Sequence, residues 1–281
     1  MSKLLLITGA TGHQGGAVIK SLAGKGFTLR ALTRKPAGDP AKALAASGVE
    51  VVAGDFDDAE SLKRALTGVW GVFGMQNTWD AGVVKEEVQG KRLATVAREC
   101  GVQHFVYTSV GSANRKTGIP HFDNKARIEE TVRGLRFPSH VIMRPVFFME
   151  NLLGPWFLQG DKLITAMDPS TRLQMIAVED IGRVGAACFT HAEKLAGKEL
   201  DLAGDALTMP EAASILGKAL GRELSYLRIP IEEVRKNSED FAIMLEWFDK
   251  TGYSADIPEL ERLFNLRMTR FAEWAAHPPR N

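Results

Sequence analysis

The sequence of 281 residues has little cysteine and no long run of apolar residues. Its two cysteines, Cys100 and Cys188, are too few for a disulfide framework, and we expect neither a disulfide nor a metal site. A membrane-spanning helix needs about 20 consecutive apolar residues. The best candidate, residues 140–149, is interrupted by Arg144 and Pro145. We therefore expect a cytoplasmic protein that does not enter a membrane.

The sequence also has no excess of charge of either sign. Lys and Arg number 35 and Asp and Glu number 34, which leaves a formal net charge of +1. This balance provides no overall field that could hold a nucleic acid, so binding through bulk charge is not expected. Hydrophobic residues make up 45% of the chain, enough for a large core at this length.

The first half of the chain alternates between strand-like and helix-like segments. Short apolar runs bounded by turn residues indicate strands that are buried on both faces. Such strands are predicted at Lys3–Thr8, Phe27–Thr33, Val49–Ala53, Val69–Met75, Phe105–Thr108 and Ser139–Arg144. Helical spacing predicts helices at His13–Lys25, Pro40–Ser47, Asp58–Leu66, Val83–Cys100 and Phe122–Arg133. This order predicts an α/β domain over residues 1–150, with a doubly wound parallel sheet of the Rossmann type.

The alternation ends after Arg144 and Pro145. Strands are predicted at Leu163–Ala166, Leu173–Ile176, Glu199–Leu202 and Glu223–Arg228. Helices are predicted at Val178–Thr190, Met209–Leu220, Phe241–Lys250 and Phe271–His277. This less regular order predicts a smaller α/β lobe over residues 151–281, partly interleaved with the first domain, which would serve a substrate or a partner.

A glycine-rich turn follows the first predicted strand and opens the first predicted helix. In this context, glycines let the chain turn sharply and let a pyrophosphate approach the backbone, where the helix start offers free N–H groups. The pattern predicts a dinucleotide site. Its expected ligands in the turn are Gly9, Ala10, Thr11, Gly12, His13, Gln14 and Gly15.

The end of the second strand favours NADP(H) over NAD(H). An NAD site usually places Asp or Glu there to accept bonds from the ribose hydroxyl. This chain has Arg34 and Lys35 instead. A guanidinium suits the charge and the oxygens of a 2′-phosphate, so Arg34 is the expected phosphate ligand and Lys35 assists it.

Further cofactor contacts are expected where other strands end. Ligands in doubly wound sheets bind outside the carboxyl ends of the strands. The third strand is followed by residues expected near the adenine, and the fourth and fifth are followed by short polar segments. These candidates are Asp55, Phe56, Gln76, Asn77, Thr78 and Ser109.

With these residues placed, the sequence resembles the NmrA-like family of atypical short-chain dehydrogenases/reductases. The likeness rests on residues 9–15, 33–36, 54–58, 121–125 and 144–151, and it covers nearly the whole chain. The segment at 121–125 looks closest to that of the NADPH-sensing members. The resemblance implies that Lys125 holds the nicotinamide ribose. It also implies a cofactor-side loop after the sixth strand, formed by Phe148, Met149, Glu150 and Asn151.

The sequence departs from ordinary short-chain dehydrogenases at the catalytic tyrosine. Those enzymes carry Tyr and Lys four residues apart on one helix face, and the tyrosine donates a proton. Here the corresponding pair is His121 and Lys125. Tyr107 lies within a predicted strand, which indicates a core position. His121 could replace the proton donor because its ordinary pKa is near neutral, or it could have no chemical role.

Two functions therefore remain open. An intact cofactor site without the tyrosine favours an NADPH/NADP redox sensor or regulator that acts on a protein partner. The alternative is an NADPH-dependent reductase of a small quinone-like or dye-like acceptor, with Trp79 and Trp156 bordering an apolar pocket. Such an acceptor can take protons from water, so the tyrosine is dispensable. Nucleotide-sugar dehydration or epimerisation is disfavoured because it normally needs the tyrosine–lysine pair.

Overall fold

A computed structural model describes residues 2–277. These residues form thirteen strands, namely β1 Lys3–Ile7, β2 Phe27–Thr33, β3 Glu50–Ala53, β4 Gly71–Gly74, β5 His104–Thr108, β6 Ser139–Pro145, β7 Phe147–Phe148, β8 Leu158–Gln159, β9 Lys162–Thr165, β10 Leu173–Ile176, β11 Glu199–Leu202, β12 Asp205–Leu207 and β13 Ser225–Arg228. The helices within this range are α1 His13–Leu22, α2 Asp39–Ala46, α3 Ala59–Leu66, α4 Thr78–Ala81, α5 Val83–Glu99, α6 Pro120–Gly134, α7 Val178–Thr190, α8 Ala192–Leu195, α9 Met209–Ala219, α10 Ile231–Arg235, α11 Glu239–Lys250, α12 Ile257–Phe264 and α13 Phe271–Ala276.

The main sheet has seven strands in the order β11-β6-β5-β4-β1-β2-β3. From β3 to β6, each pair of neighbouring strands is parallel. The order reverses between β1 and β4, where a crevice opens in folds of this type. The main-chain N–H of Met75 donates to the Thr8 hydroxyl at 2.8 Å and joins the two strand ends there. The predicted doubly wound sheet is confirmed.

Local sequence signals account for several element boundaries. Asp58 caps α3, because its carboxylate accepts the N–H groups of Glu60 and Ser61. Gly101, which follows the last turn of α5, has a φ of +78°, a left-handed conformation that favours glycine. Helix α4 was not expected from the sequence. It has four residues, too few to show helical periodicity, and it begins at the Asn77 cap.

Two three-stranded sheets lie outside the main one, in the orders β12-β10-β7 and β13-β9-β8. Both combine parallel and antiparallel pairs. The strand Glu199–Leu202 was predicted at the correct residues but assigned to the smaller lobe. That assignment is wrong, because this strand is β11 at the edge of the main sheet. A short edge strand contacts one neighbour, so its sequence carries little information about which sheet it joins.

The chain forms two compact units. The first contains the described residues up to Ser109 together with Asn124–Arg144 and Ile181–Leu200, and the second contains Val110–Asp123, Pro145–Asp180 and the described residues from Asp201 onward. Each unit has a hydrophobic core of its own. The division into domains at residue 150 stays a prediction. Among residues 2–277, no helix is long and apolar enough to span a membrane.

Candidate dinucleotide site

A cleft of about 370 Å³ lies in the first unit, where strands β1 to β4 end. It contains many of the candidate cofactor residues that the sequence places at separate strand ends. The candidates lining the cleft are Gly9, Thr11, Gly12, Arg34, Lys35, Asp55, Phe56, Gln76 and Asn77. The parallel arrangement explains this convergence, because all carboxyl ends meet at one edge of the sheet.

The glycines of the turn allow neighbouring atoms to lie closer to the backbone than a side chain would permit. Gly9 has a φ of +61°, and a Cβ placed there would lie 2.7 Å from the sulfur of Met75. A Cβ on Gly15 would lie 2.5 Å from the carbonyl oxygen of Gly9, so this glycine lets α1 pack against the turn. Gly12 lines the cleft as the first cap residue of α1. The three glycines thus serve the turn, the ligand approach and the helix packing.

The N-terminus of α1 offers its N–H groups to a ligand. Gly12 caps this helix without a side chain, and none of the described side chains bonds to its first turn in that role. Helix N-termini carry free N–H groups and a partial positive charge, both suited to phosphate. Gln14 is fixed by the hydroxyl of Thr108, which donates to its side-chain oxygen at 2.7 Å. His13 is exposed and Ala10 is buried.

Charged side chains of both signs line the same cleft. Arg34 and Lys35 follow β2 and are exposed. Lys85 and Asp80 come from the α4–α5 region, and both were missed by reasoning from the sequence. A guanidinium nitrogen of Arg34 lies 3.6 Å from a carboxylate oxygen of Asp80. An anionic ligand would therefore meet a guanidinium that already has a carboxylate beside it.

Gln76 presents unsatisfied polar atoms at the cleft. Its side chain lines the cleft and is 4% exposed, and neither amide atom has a hydrogen-bond partner within the described part of the chain. Buried polar groups are normally paired, so these two unpaired amide atoms at the cleft wall would suit a polar group bound in the cleft. The hydroxyl of Ser109 is likewise buried and unpaired among the described residues.

Lys125 is held by a buried carboxylate that the sequence analysis missed. Its Nζ donates to Glu86 Oε1 at 2.5 Å, and the Glu86 side chain is fully buried. Asn124 donates to the other carboxylate oxygen at 2.9 Å, and the Thr78 hydroxyl also bonds to it. A signal existed, since Glu86 lies seven residues before the core residue Leu93, on the buried face of α5. A carboxylate on such a face has to be paired.

Three bonds outweigh the desolvation of this carboxylate. Burial is the largest single influence and acts to raise the pKa of Glu86. The charge and hydrogen bond of Lys125, with the bonds from Thr78 and Asn124, act in the opposite direction. The pKa of Glu86 therefore ends below its ordinary value, and the carboxylate stays charged at neutral pH.

His121 belongs to the second unit and is oriented by Asp240. Its ring Nδ1 bonds to Asp240 Oδ1, and its main-chain N–H donates to Oδ2 of the same carboxylate at 3.0 Å. The ring is 7% exposed and meets Phe122 edge to face. A carboxylate at Nδ1 favours the tautomer with the proton on Nδ1, which leaves Nε2 as the acceptor of the neutral ring.

The expected cofactor-side loop also lies in the second unit. Phe148 ends β7, and Met149 and Asn151 lie in the 3₁₀ turn Met149–Leu153 that follows. Met149 is fully buried in the core of this unit. Glu150 accepts the N–H of Val178 at 3.0 Å and the indole N–H of Trp274 at 3.1 Å. These bonds hold the loop, and its contact with a cofactor stays a prediction.

Three aromatic residues singled out from the sequence differ in burial. Tyr107 is 1% exposed and lies in the core of the first unit, as predicted. Burial raises the pKa of its phenol well above the ordinary value, so it is a poor substitute for the catalytic tyrosine. Trp79 is 64% exposed and Trp156 is 75% exposed. Their place in a substrate pocket stays a prediction.

The cleft fits a dinucleotide by three independent features, namely the glycine cradle, the uncapped helix start and the orphaned Gln76 amide. A model of the NmrA-like family matches residues 1–275. The chain belongs to the NmrA-like family. A relative in Dictyostelium discoideum, an NmrA-like family domain-containing protein, is 28% identical in an alignment 276 residues long that covers 90% of this chain and 89% of the relative.

Solved structures of other proteins share the whole fold of this NmrA-like chain. The NADPH-dependent quinone oxidoreductase QOR2 of Escherichia coli, in complex with NADPH, is 27% identical, with a TM-score of 0.80 over 98% of this chain and 99% of that one. Triphenylmethane reductase of Citrobacter, in complex with NADP(H), is 22% identical, with a TM-score of 0.81 over 98% of both chains. The second likeness concerns the fold alone.

Proposed function

We propose that this NmrA-like protein binds NADP(H) in the cleft of the first unit. The observation that carries the proposal is the uncapped start of α1 beside the Gly9–Gly15 cradle, with Arg34 and Lys35 on the same cleft. The helix start would bind the pyrophosphate, and the two cations would bind the 2′-phosphate. Asp55 and Phe56 would contact the adenine. Gln76, Asn77, Thr78 and Ser109 would contact the nicotinamide half.

Lys125 would hold the nicotinamide ribose. Its amino group has three donors, one of which is used by Glu86. The remaining two can bond to ribose hydroxyls. The family resemblance also implies cofactor contacts for Phe148, Met149, Glu150 and Asn151, and we keep these contacts as part of the proposal.

For the chemistry, we propose an NADPH-dependent reductase of a small quinone-like or dye-like acceptor. NADPH would supply the hydride when bound, and the protonated ring of His121, or water, would supply the one proton that is also needed to reduce a quinone to a quinol. The oriented His121–Asp240 pair supports this proposal, because an imidazole held by a carboxylate is a prepared proton carrier. The likeness to the quinone oxidoreductase QOR2 supports it as well.

A second candidate is the redox sensor or regulator that the sequence favours. Here the protein would bind a dinucleotide, report the NADPH/NADP⁺ ratio and act on a protein partner without turnover. The observation in its favour is that His121, not tyrosine, stands four residues before Lys125. This function requires different affinities for the oxidised and reduced cofactor, because a ligand shifts an equilibrium only by its differential affinity.

Calorimetric titration with NADPH, NADP⁺, NADH and NAD⁺ tests the binding proposal. Arg34→Ala should weaken NADPH binding by about tenfold or more and leave NADH binding within about twofold, because a charge-assisted phosphate contact is lost. Arg64→Ala is the control, since Arg64 is exposed and does not line the cleft. Equal loss for NADPH and NADH would contradict the assignment of Arg34.

Steady-state oxidation of NADPH with a panel of quinones and dyes separates the two functions. A reductase should show turnover that Lys125→Ala reduces. A sensor should show no consumption above the decay of the cofactor itself, together with a large affinity difference between NADPH and NADP⁺. Turnover with near-equal affinities would reject the sensor.

A further inference from the structure

Asp80 places a carboxylate in the cleft, although the end of the second strand carries neither Asp nor Glu. In NAD sites the carboxylate that accepts the ribose hydroxyls stands at the end of the second strand. That strand is β2, and it ends here in Thr33, followed by Arg34 and Lys35. Asp80 comes from α4, which follows a different strand, yet it lines the same cleft.

The position of Asp80 is defined by its surroundings in the first unit. A carboxylate oxygen of Asp80 lies 3.6 Å from a guanidinium nitrogen of Arg34. The main-chain N–H of Asp80 donates to the carbonyl of Asn77 at 3.2 Å. The helix start is held further by Thr78, whose hydroxyl bonds to the buried carboxylate of Glu86. Asp80 is therefore carried by an anchored turn and not by a free loop.

We propose that Asp80 determines cofactor selectivity in this cleft. Its carboxylate accepts a hydrogen bond from the 2′-hydroxyl of the adenosine ribose in NAD(H) and repels the 2′-phosphate at the same position in NADP(H). The inference rests on the proposed dinucleotide site. Arg34 and Asp80 then act as a pair with opposite preferences. Arg34 favours the phosphate, Asp80 favours the hydroxyl, and the protein binds both classes of dinucleotide with moderate discrimination.

Charge explains the direction of each effect. A 2′-phosphate carries a charge of roughly −1.5 to −2 near neutral pH. It must bind beside the Asp80 carboxylate and compete with it for Arg34. A hydroxyl has no charge and can donate to a carboxylate oxygen in a charge-assisted bond. Both side chains are more than half exposed, so the effects are moderate and screened by salt.

The test is calorimetric titration of the full chain with NADP⁺, NADPH, NAD⁺ and NADH. Asp80→Asn should tighten binding of NADP⁺ and NADPH by about fivefold and weaken binding of NAD⁺ and NADH by about threefold at low salt. The selectivity for the phosphorylated cofactors should rise by about 15-fold, the product of these estimates. At 0.5 M salt the gain for NADP⁺ should shrink, because the Debye length is then only a few ångströms.

Two variants distinguish this role from a general loss of charge. Asp39→Asn removes the same charge from α2, next to cleft residues Gly38 and Pro40, but Asp39 does not line the cleft. Its selectivity should stay within about twofold of the wild type. Asp80→Glu keeps the charge and should stay within about threefold of the wild type.

The outcomes separate the two proposals. If the wild type binds none of the four dinucleotides, the proposed function fails, and this inference fails with it. If the wild type binds and Asp80→Asn leaves the selectivity unchanged, only the inference is overturned. Weaker NADPH binding in Asp80→Asn would also overturn it, because Asp80 would then prepare Arg34 for the phosphate and not oppose it.

Discussion

The amino group of Lys125 donates to the carboxylate of Glu86 at 2.5 Å, and the Glu86 side chain is fully buried. Lys125 therefore has a negatively charged partner before any ligand binds. The same carboxylate holds Thr78 at the start of α4 and Asn124 on α6. One carboxylate on α5 therefore fixes a residue proposed to hold the cofactor and a segment that borders the cleft.

Glu86→Gln is expected to destabilise the protein by about 3 kcal/mol, because it leaves the lysine charge without its buried partner. Glu87→Gln is the matched control. Glu87 is the next residue, pairs with Lys91 and Arg127, and is partly exposed, so its loss should cost about 1 kcal/mol or less. Urea denaturation measures both. The double variant Glu86→Gln/Lys125→Met removes both members of the pair and should be more stable than Glu86→Gln alone. Equal losses of stability in Glu86→Gln and Glu87→Gln would contradict this interpretation.

Gly15→Ala is expected to destabilise the protein by about 2 kcal/mol or more and to abolish dinucleotide binding. The new Cβ would lie 2.5 Å from main-chain atoms of Gly9, which cannot move like a flexible side chain. Gly16→Ala is the control, since its Cβ would lie 3.4 Å from the nearest atom and alanine favours the helix. Its stability should stay within about 1 kcal/mol of the wild type. Thermal denaturation and NADPH titration report the two effects, and a stable Gly15→Ala variant that binds normally would refute the packing role.

Glu199 is expected to make stability depend on pH in the acid range. Hydrogen bonds from Arg133, followed by those from Arg144, lower the pKa of Glu199 from 4.5 to about 2. Burial acts in the opposite direction but has a smaller effect than the bonds from Arg133. The folded state therefore gains stability from the charged carboxylate above about pH 4.5 and loses it as the pH falls toward 2. Urea denaturation at pH 6, 4.5 and 3.5 should show a shrinking difference between the wild type and Glu199→Gln. A difference that is constant over this range would exclude the assigned pKa.

Asp240→Asn is expected to lower kcat/KM for a quinone by about tenfold if the protein is a reductase. The loss is smaller than the 10²–10⁴ typical of general acids, because water can also protonate the product. The Kd for NADPH should stay within about twofold. Stopped-flow oxidation of NADPH and calorimetry supply the two values, and Asp256→Asn, an exposed helix cap, is a control for lost charge. Unchanged kcat/KM would contradict the proposal that Asp240 prepares His121 for proton transfer.

The main sheet and the glycine turn could be predicted because their signals are local. The strand at Phe27–Thr33 has the predicted bounds, and the helix predicted at Asp58–Leu66 is α3, with Asp58 as its cap. Apolar runs and cap residues act over a few positions, so the sequence alone displays them. The strand at Glu199–Leu202 was also found, but the sheet it joins depends on a partner far away in the chain.

Contacts between side chains far apart in the chain could not be predicted from local patterns. Thirty-nine positions separate Glu86 from Lys125, and 119 separate His121 from Asp240. Asp80 reaches Arg34 only because β4 and β2 lie on either side of β1 in the sheet.

The family, the alternating fold and the residue types at the strand ends could be predicted from the sequence, because these depend on local patterns. Which charged side chains lie next to each other depends on how the chain packs. This packing gave Lys125 a buried partner in Glu86, His121 a carboxylate in Asp240, and Arg34 an opposing charge in Asp80. Electrostatic energy depends on distance and burial, and packing of segments remote in the chain sets both.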